Sequence, residues 1–192
     1  MRPSRPRPWG WRGRLRLVPQ ERRGDRRGWT RDVMDRFVSN YTLRLDAKGR
    51  VSIPAPFRAV LARDGFDGLY CYPTLDRPAL DAGGNALLRE IETLISRFPP
   101  YSEEREQFSA ALYGTSEVLK IDGEGRAILT EPLKTHAGIK DEITCAGLGH
   151  KFQIWEPGRF RAELAEATEK VRALKRQLGS RVAAEGPHGA RE

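Results

Sequence analysis

The stretch RLDAKGRVSIPAPFR, Arg44 to Arg58, holds a turn, two strand-like flanks and a helix entry in one short window. Asp46 and Gly49 occupy the first and fourth places of a tetrad. An aspartate at the first place of a type I turn accepts local backbone N–H groups, and a glycine at the fourth takes the positive φ required there. The runs YTLRL before and RVSI after alternate in the period of a strand with one buried face. Pro54 and Pro56 suit the entry of a helix through FRAVLAR. The window predicts a hairpin whose tip projects outward, followed by a short helix.

KIDGEGRAILTEPLK, Lys120 to Lys134, repeats the pattern. Sliding the chain by 76 residues sets Asp46 on Asp122, Gly49 on Gly125, Arg50 on Arg126, Ile53 on Leu129, Pro56 on Pro132 and Phe57 on Leu133. Chemical type is kept at each of these places, which points to an internal duplication. Strand-like EVLKI and RAIL flank the second turn, and Thr130 stands where a cap of the next helix belongs. Further on, LYCYP (69–73) echoes FQIWEP (152–157). A unit of about 45 residues is too small to hide its apolar face alone, whereas two copies can cover each other around a pseudo-twofold core.

Between the copies, NALLREIETLISRF places Leu87, Leu88, Ile91, Leu94, Ile95 and Phe98 on one helical face before Pro99-Pro100. A second helix is predicted from Ser102 to Tyr113, ahead of Gly114. Phe160, Leu164, Ala167, Val171, Leu174 and Leu178 follow the three-and-four spacing of an amphipathic C-terminal helix. Its apolar stripe packs either on its own body or against a neighbouring subunit.

The net charge of +8 is unevenly placed. Residues 1–33 hold eleven Arg against three acids, and from Met34 onward the two signs balance. The basicity thus belongs to a Pro/Arg/Gly/Trp-rich leader without periodicity, read either as a phosphate-gripping arm or as translated sequence upstream of a start at Met34. No apolar run reaches a signal-peptide core or a membrane span, so the expected compartment is the cytosol. Cys71 and Cys145 form no CxxC, and no metal-ligand spacing surrounds His136, His150 or His188, so no metal or cofactor is expected. Neither turn aspartate has a His, Lys or metal partner at catalytic spacing, and Walker, GxSxG and HExxH motifs are missing. A small-molecule substrate and an enzyme are therefore not expected.

The doubled D-x-x-x-R turn, the run VSIPAPFR, two intervening helices and a late FQIWEP together closely resemble the MraZ family, from Met34 to about Leu178. These bacterial proteins are encoded at the head of the division and cell-wall gene cluster. The resemblance implies a mainly β, α+β fold in which tandem AbrB-like units interleave as a swapped-hairpin β-barrel within one chain. The units run at 39–84 and 115–158, with a helical linker at 85–113 and a C-terminal helix at 159–178, while the composition of 1–33 and 179–192 marks these segments as disordered. The resemblance further implies a ring-shaped homo-oligomer associated with the nucleoid, which binds double-stranded DNA at repeated promoter boxes and represses its own operon. An AbrB-type antitoxin and a pure scaffold are the alternatives. The leader before Met34 and the tail lie outside the family pattern.

The two turns differ in charge. Asp46 to Arg50 sums to +1 and Asp122 to Arg126 to −1, so phosphate binding favours the first turn. An arginine in this place can fold back onto the turn aspartate or reach out to a phosphate or guanine edge. The expected DNA-binding set is Arg44, Lys48, Arg50, Arg58 and Arg126, with Lys48 on phosphate, Arg50 reading or clamping, and Arg44 and Arg58 widening the positive patch. Asp46, Gly49, Asp122 and Gly125 form the turns. The second hairpin is expected chiefly to complete the barrel or touch a neighbour.

Overall fold

The computed structural model describes residues 35–184, and the side chains of 35–178. The arginine-rich leader and the end of the tail lie outside the described residues. In chain order the elements are β1 (Asn40–Arg44), β2 (Arg50–Ser52), α1 (Ala55–Asp64), β3 (Leu69–Pro73), β4 (Ala79–Gly83), α2 (Asn85–Ile95) and α3 (Glu103–Leu112). The second half adds β5 (Glu117–Leu119), β6 (Arg126–Ile128), α4 (Glu131–Ala137), β7 (Glu142–Gly147), β8 (Phe152–Trp155) and α5 (Pro157–Ala184).

Six strands form one antiparallel sheet in the order β1-β7-β8-β4-β3-β5, and β2 pairs only with β6. This overturns the closed swapped-hairpin barrel while keeping the α+β class. The larger sheet is open, with β1 and β5 at its edges. The strands that should close it, β2 and β6, are three residues long and give their ladder bonds to each other. The expected hairpins are likewise corrected. Asp46 N–H donates to the Arg50 carbonyl at 2.9 Å, but beyond that bond the arms part, β1 to β7 and β2 to β6.

The registers expose the duplication. The sheet order is symmetric about its β8·β4 junction if β1 matches β5, β3 matches β7 and β4 matches β8. Cys145 lies opposite Tyr41 and Cys71 opposite Glu117, and Tyr41 and Glu117 are themselves 76 residues apart. The two cysteines are therefore equivalent, and LYCYP corresponds to β7. Its likeness to FQIWEP is corrected, because FQIW forms β8, the counterpart of β4. The pairs Val51·Ala127 and Asp81·Gln153 join equivalent residues, so both lie on the pseudo-twofold axis.

One apolar cluster draws on both copies: Val51, Ile53, Phe57 and Leu69 from the first pack with Ala127, Leu129, Leu133, Ile143 and Phe152 from the second. Phe57 sits at its aromatic centre, its ring centroid 4.9 Å from Phe152, 5.3 Å from Phe37 and 5.4 Å from Tyr41. A satellite cluster places Leu87, Ile91, Ile95 and Leu112 over Tyr70 and Tyr72. Leu94, expected on that face, is instead exposed. Ser102 caps α3 by accepting from Arg105 N–H at 3.2 Å. Thr130 occupies the N-cap of α4 but its hydroxyl donates to Glu117 Oε1 at 2.7 Å, so it ties α4 to β5 and does not cap the helix.

On the axis, Asp81 is 5% exposed, accepts from Tyr72 Oη, Lys151 Nζ and Gln153 Nε2, and has no unfilled demand. Sequence reasoning missed this network. An isolated Asp in ALDAG carries no signal for partners that lie 70 residues further along the chain.

Candidate nucleic-acid interface

The two turns are built alike. Gly49 and Gly125 have φ of 72° and 79°, and their N–H groups donate to the Asp46 and Asp122 carbonyls at 2.9 and 2.8 Å. This is a type I turn followed by a left-handed glycine, a place where any side chain would be strained. In the first turn Asp46 Oδ1 accepts from Lys48 N–H at 2.8 Å and Arg50 N–H at 3.0 Å. Oδ2 takes both Arg50 Nε and Nη2 at 2.6 Å. In the second, Asp122 Oδ1 accepts from Glu124 and Arg126 N–H groups, and Oδ2 from Arg126 Nε at 2.9 Å.

The arginines differ in what remains unused. Arg126 gives Nε and Nη2 to Asp122, and Nη1 contacts Glu124 Oε2 at 2.7 Å. Arg50 Nη1 has no partner among the described residues, nor has the Lys48 ammonium, which stands where the second turn has Glu124. Counting the turn residues alone, the first turn thus offers two free cationic groups and the second, whose arginine is engaged on three nitrogens, offers none.

The two turns also lean on each other. Ile53 N–H donates to the Gly125 carbonyl at 2.9 Å and Leu129 N–H to the Gly49 carbonyl at 3.4 Å. Arg58, expected beside the first turn, lies across the second. Its guanidinium would come within about 2.6 Å of a Cβ added at Gly125, while Nε donates to the Ile53 carbonyl. Its equivalent Lys134 stands off Gly49, its ammonium 3.6 Å from a Cβ added there, and is paired with Glu131 at 2.5 Å. Arg44 ends β1, with its side chain 80% exposed and held, among the described residues, only by Glu142 at 3.4 Å. Lys48 and Arg50 thus share one turn with Arg44 at the end of the strand leading into it, and Arg58 lies with Arg126 on the other.

These contacts tune the charges. The Asp46 carboxyl is pulled down to about 2, first by the Arg50 side chain and then by the Arg50 backbone N–H. Asp122 is lowered chiefly by the Arg126 backbone N–H. A carboxylate depressed in the folded state contributes stability that is present above its unfolded value, near 4, and lost as pH falls through the folded one. The first turn is expected to keep its lock at pH 5 and lose it between about pH 4 and pH 2. An NMR titration of the Asp46 side-chain carboxyl checks this; a midpoint at the ordinary carboxylate value would count against it.

Burial pushes the Cys145 thiol up to about 12 and raises Cys71 further, so both are unreactive core residues. No helix of the described residues is long and apolar enough to cross a membrane.

A single chain that interleaves two copies of a strand–turn–strand–helix unit, each turn locked by an aspartate and an arginine, defines the class of tandem AbrB-like proteins. The chain belongs to the MraZ family. Residues 111–179 match a family model described as "MraZ protein, putative antitoxin-like". The chain is 69% identical over 153 residues to the transcriptional regulator MraZ of Azorhizobium caulinodans, covering 80% of this chain and 98% of that protein. It is 67% identical over 164 residues to that of Methylocella silvestris, covering 83% and 100%. To that of Parvibaculum lavamentivorans it is 40% identical over 157 residues, covering 81% and 98%.

Proposed function

We propose that the protein is a sequence-specific DNA-binding repressor of the division and cell-wall gene cluster, and that it meets DNA through the first D-x-x-x-R turn. The carrying observation is the pair of cationic groups left free there, Arg50 Nη1 and the Lys48 ammonium, on a turn held by the Asp46 carboxylate. A pre-set turn loses little entropy on binding, and a guanidinium edge with one open arm suits a phosphate oxygen or a guanine. Arg44 flanks the first turn at the end of β1, while in the second turn the arginine is occupied by Glu124. The relatives' shared designation as transcriptional regulators supports the same reading, and none is designated an enzyme.

One such turn is a small contact, so useful affinity comes from several at once. The protein acts as a ring-shaped homo-oligomer on evenly spaced promoter boxes, in the cytoplasm at the nucleoid. The long helix α5 supports self-association. Leu164, Val171, Leu174 and Leu178 are each about half exposed or more along it, with no cover from the body. Joining sites raises effective concentration, and avidity of about a hundredfold or more over a single contact is within reach. In a gel shift with the protein's own upstream DNA, affinity is expected to rise at least about tenfold from one box to several. Full affinity on a lone box would overturn the multivalent part, and no shift at any box number would leave a scaffold.

A further inference from the structure

The corner where β1, the α4–β7 loop and the start of α5 meet is a concave surface of about 570 Å³, lined by Arg44, Lys140, Arg159 and Arg161 among three acids. It adjoins the first turn directly, because Leu45 N–H, next to Asp46, donates to the Asp141 carbonyl at 2.8 Å. Two of the acids are already engaged. Glu156 accepts from the Gly158 and Arg159 backbone N–H groups and so fills the N-terminus of α5, and Glu142 faces Arg44. Arg159 leans on the α4 C-terminus through the Ala137 carbonyl. Lys140 and Arg161 are exposed and make no direct ion pair among the described residues.

The matching corner of the other repeat is different. Its loop between α1 and β3 reads Gly65-Phe66-Asp67-Gly68, with an acid and no base, and β4 leads into α2, which starts Asn85-Ala86. The matching corner keeps Lys120 in the place of Arg44 and Arg89 in that of Arg161, but Arg89 is tied to Asp64 at 3.2 Å and the loop has no counterpart of Lys140, so the corner beside the first turn is the more positive of the two. Its bases come from far parts of the chain, a juxtaposition that the 76-residue repeat alone does not predict.

We infer that Lys140 and Arg161, with Arg44, form a phosphate-contacting flank that carries the DNA backbone away from the first turn and along the β1 edge toward α5. This rests on the DNA-binding reading above. The flank adds affinity without reading bases, since lysine and arginine on phosphate fix position and carry no sequence information. It also fixes which side of the first turn the duplex leaves by, so that neighbouring subunits meet boxes in one orientation.

The test uses the full chain and DNA carrying a fixed number of boxes. Binding of wild type, Lys140→Ala/Arg161→Ala, Lys140→Arg/Arg161→Lys and Arg50→Ala is measured from low to moderate salt, against a scrambled duplex of equal length. Each lost phosphate contact lowers the slope of log K against log salt by about 0.9. The double alanine variant is expected to lose roughly 1.8 of slope per engaged subunit, with its preference over scrambled DNA unchanged, and the charge-keeping variant to behave as wild type. An unchanged slope in the double alanine variant, with Arg50→Ala still weakening specific binding by about tenfold or more, overturns the flank and leaves the turn assignment standing. Full binding by Arg50→Ala overturns the turn assignment, and the flank with it.

Discussion

Arg50→Ala is expected to reduce binding to the promoter boxes by about tenfold or more, whereas Arg126→Ala, the same change in the other repeat, reduces it by about fivefold at most. A contact from an arginine to a base edge or phosphate is worth about 1–3 kcal/mol, and several subunits engaging at once multiply the loss. Arg126 has little to lose. Its guanidinium is taken up by Asp122 and Glu124 on three nitrogens, and ion pairs near the surface contribute little to stability. Removing Arg126 also uncovers two carboxylates near the first turn, a repulsion that reaches further in dilute buffer. The comparison therefore belongs near physiological salt, where the screening length is about 8 Å. Both variants should keep their fold, because each Asp retains its two backbone N–H donors and each glycine its positive φ. Titration against box DNA by fluorescence anisotropy, with thermal melts as control, decides the matter. Loss of binding by Arg126→Ala alone, with both proteins folded, would reverse the assignment of the two turns.

The contrast between the repeats shows what can be read from residues alone. Turn chemistry is local. Asp, Gly and Arg within five positions specify which carboxylate oxygen meets which N–H, and the structure realises this in both copies. Partner choice is not local. That β1 pairs with β7 depends on a strand about a hundred residues away, and nothing in YTLRL specifies it. The barrel expectation failed at this level: three-residue strands pair with each other across the axis and have no further ladder to offer the sheet edges. Arg58 is the instructive case among the candidate site residues. Sequence nearness put it with the first turn, but its guanidinium reaches Gly125 of the other repeat. Lys48 and Glu124 each give a backbone N–H to the aspartate of their own turn, so the tip residues differ in sign, while Arg58 adds a positive charge beside the second turn.

Phe57→Ala is expected to have the largest effect on stability, and to unfold both copies together. The side chain is 1% exposed and contacts three aromatic rings, two of them from its own repeat and its N-terminal approach, the third, Phe152, from the other. Emptying such a site costs about 3–5 kcal/mol, against a total stability for ordinary domains of about 5–15 kcal/mol. The equivalent change, Leu133→Ala, removes a smaller group at the same pseudo-symmetric place and is expected to cost about 2–5 kcal/mol. The loss does not stay in one repeat, because every ladder of the central sheet except β3·β4 and β7·β8 joins a strand of one copy to a strand of the other. The β2·β6 ribbon that carries both arginines is such a joint, so neither turn keeps its neighbour if one half opens. Urea denaturation followed by tryptophan fluorescence and amide exchange should show one transition, with the amides of Arg50 and Arg126 losing protection at the same denaturant concentration. Protection retained at Arg126 after Arg50 has lost it would mean that the copies fold separately, and that the pairing of free and locked turns does not depend on their common core.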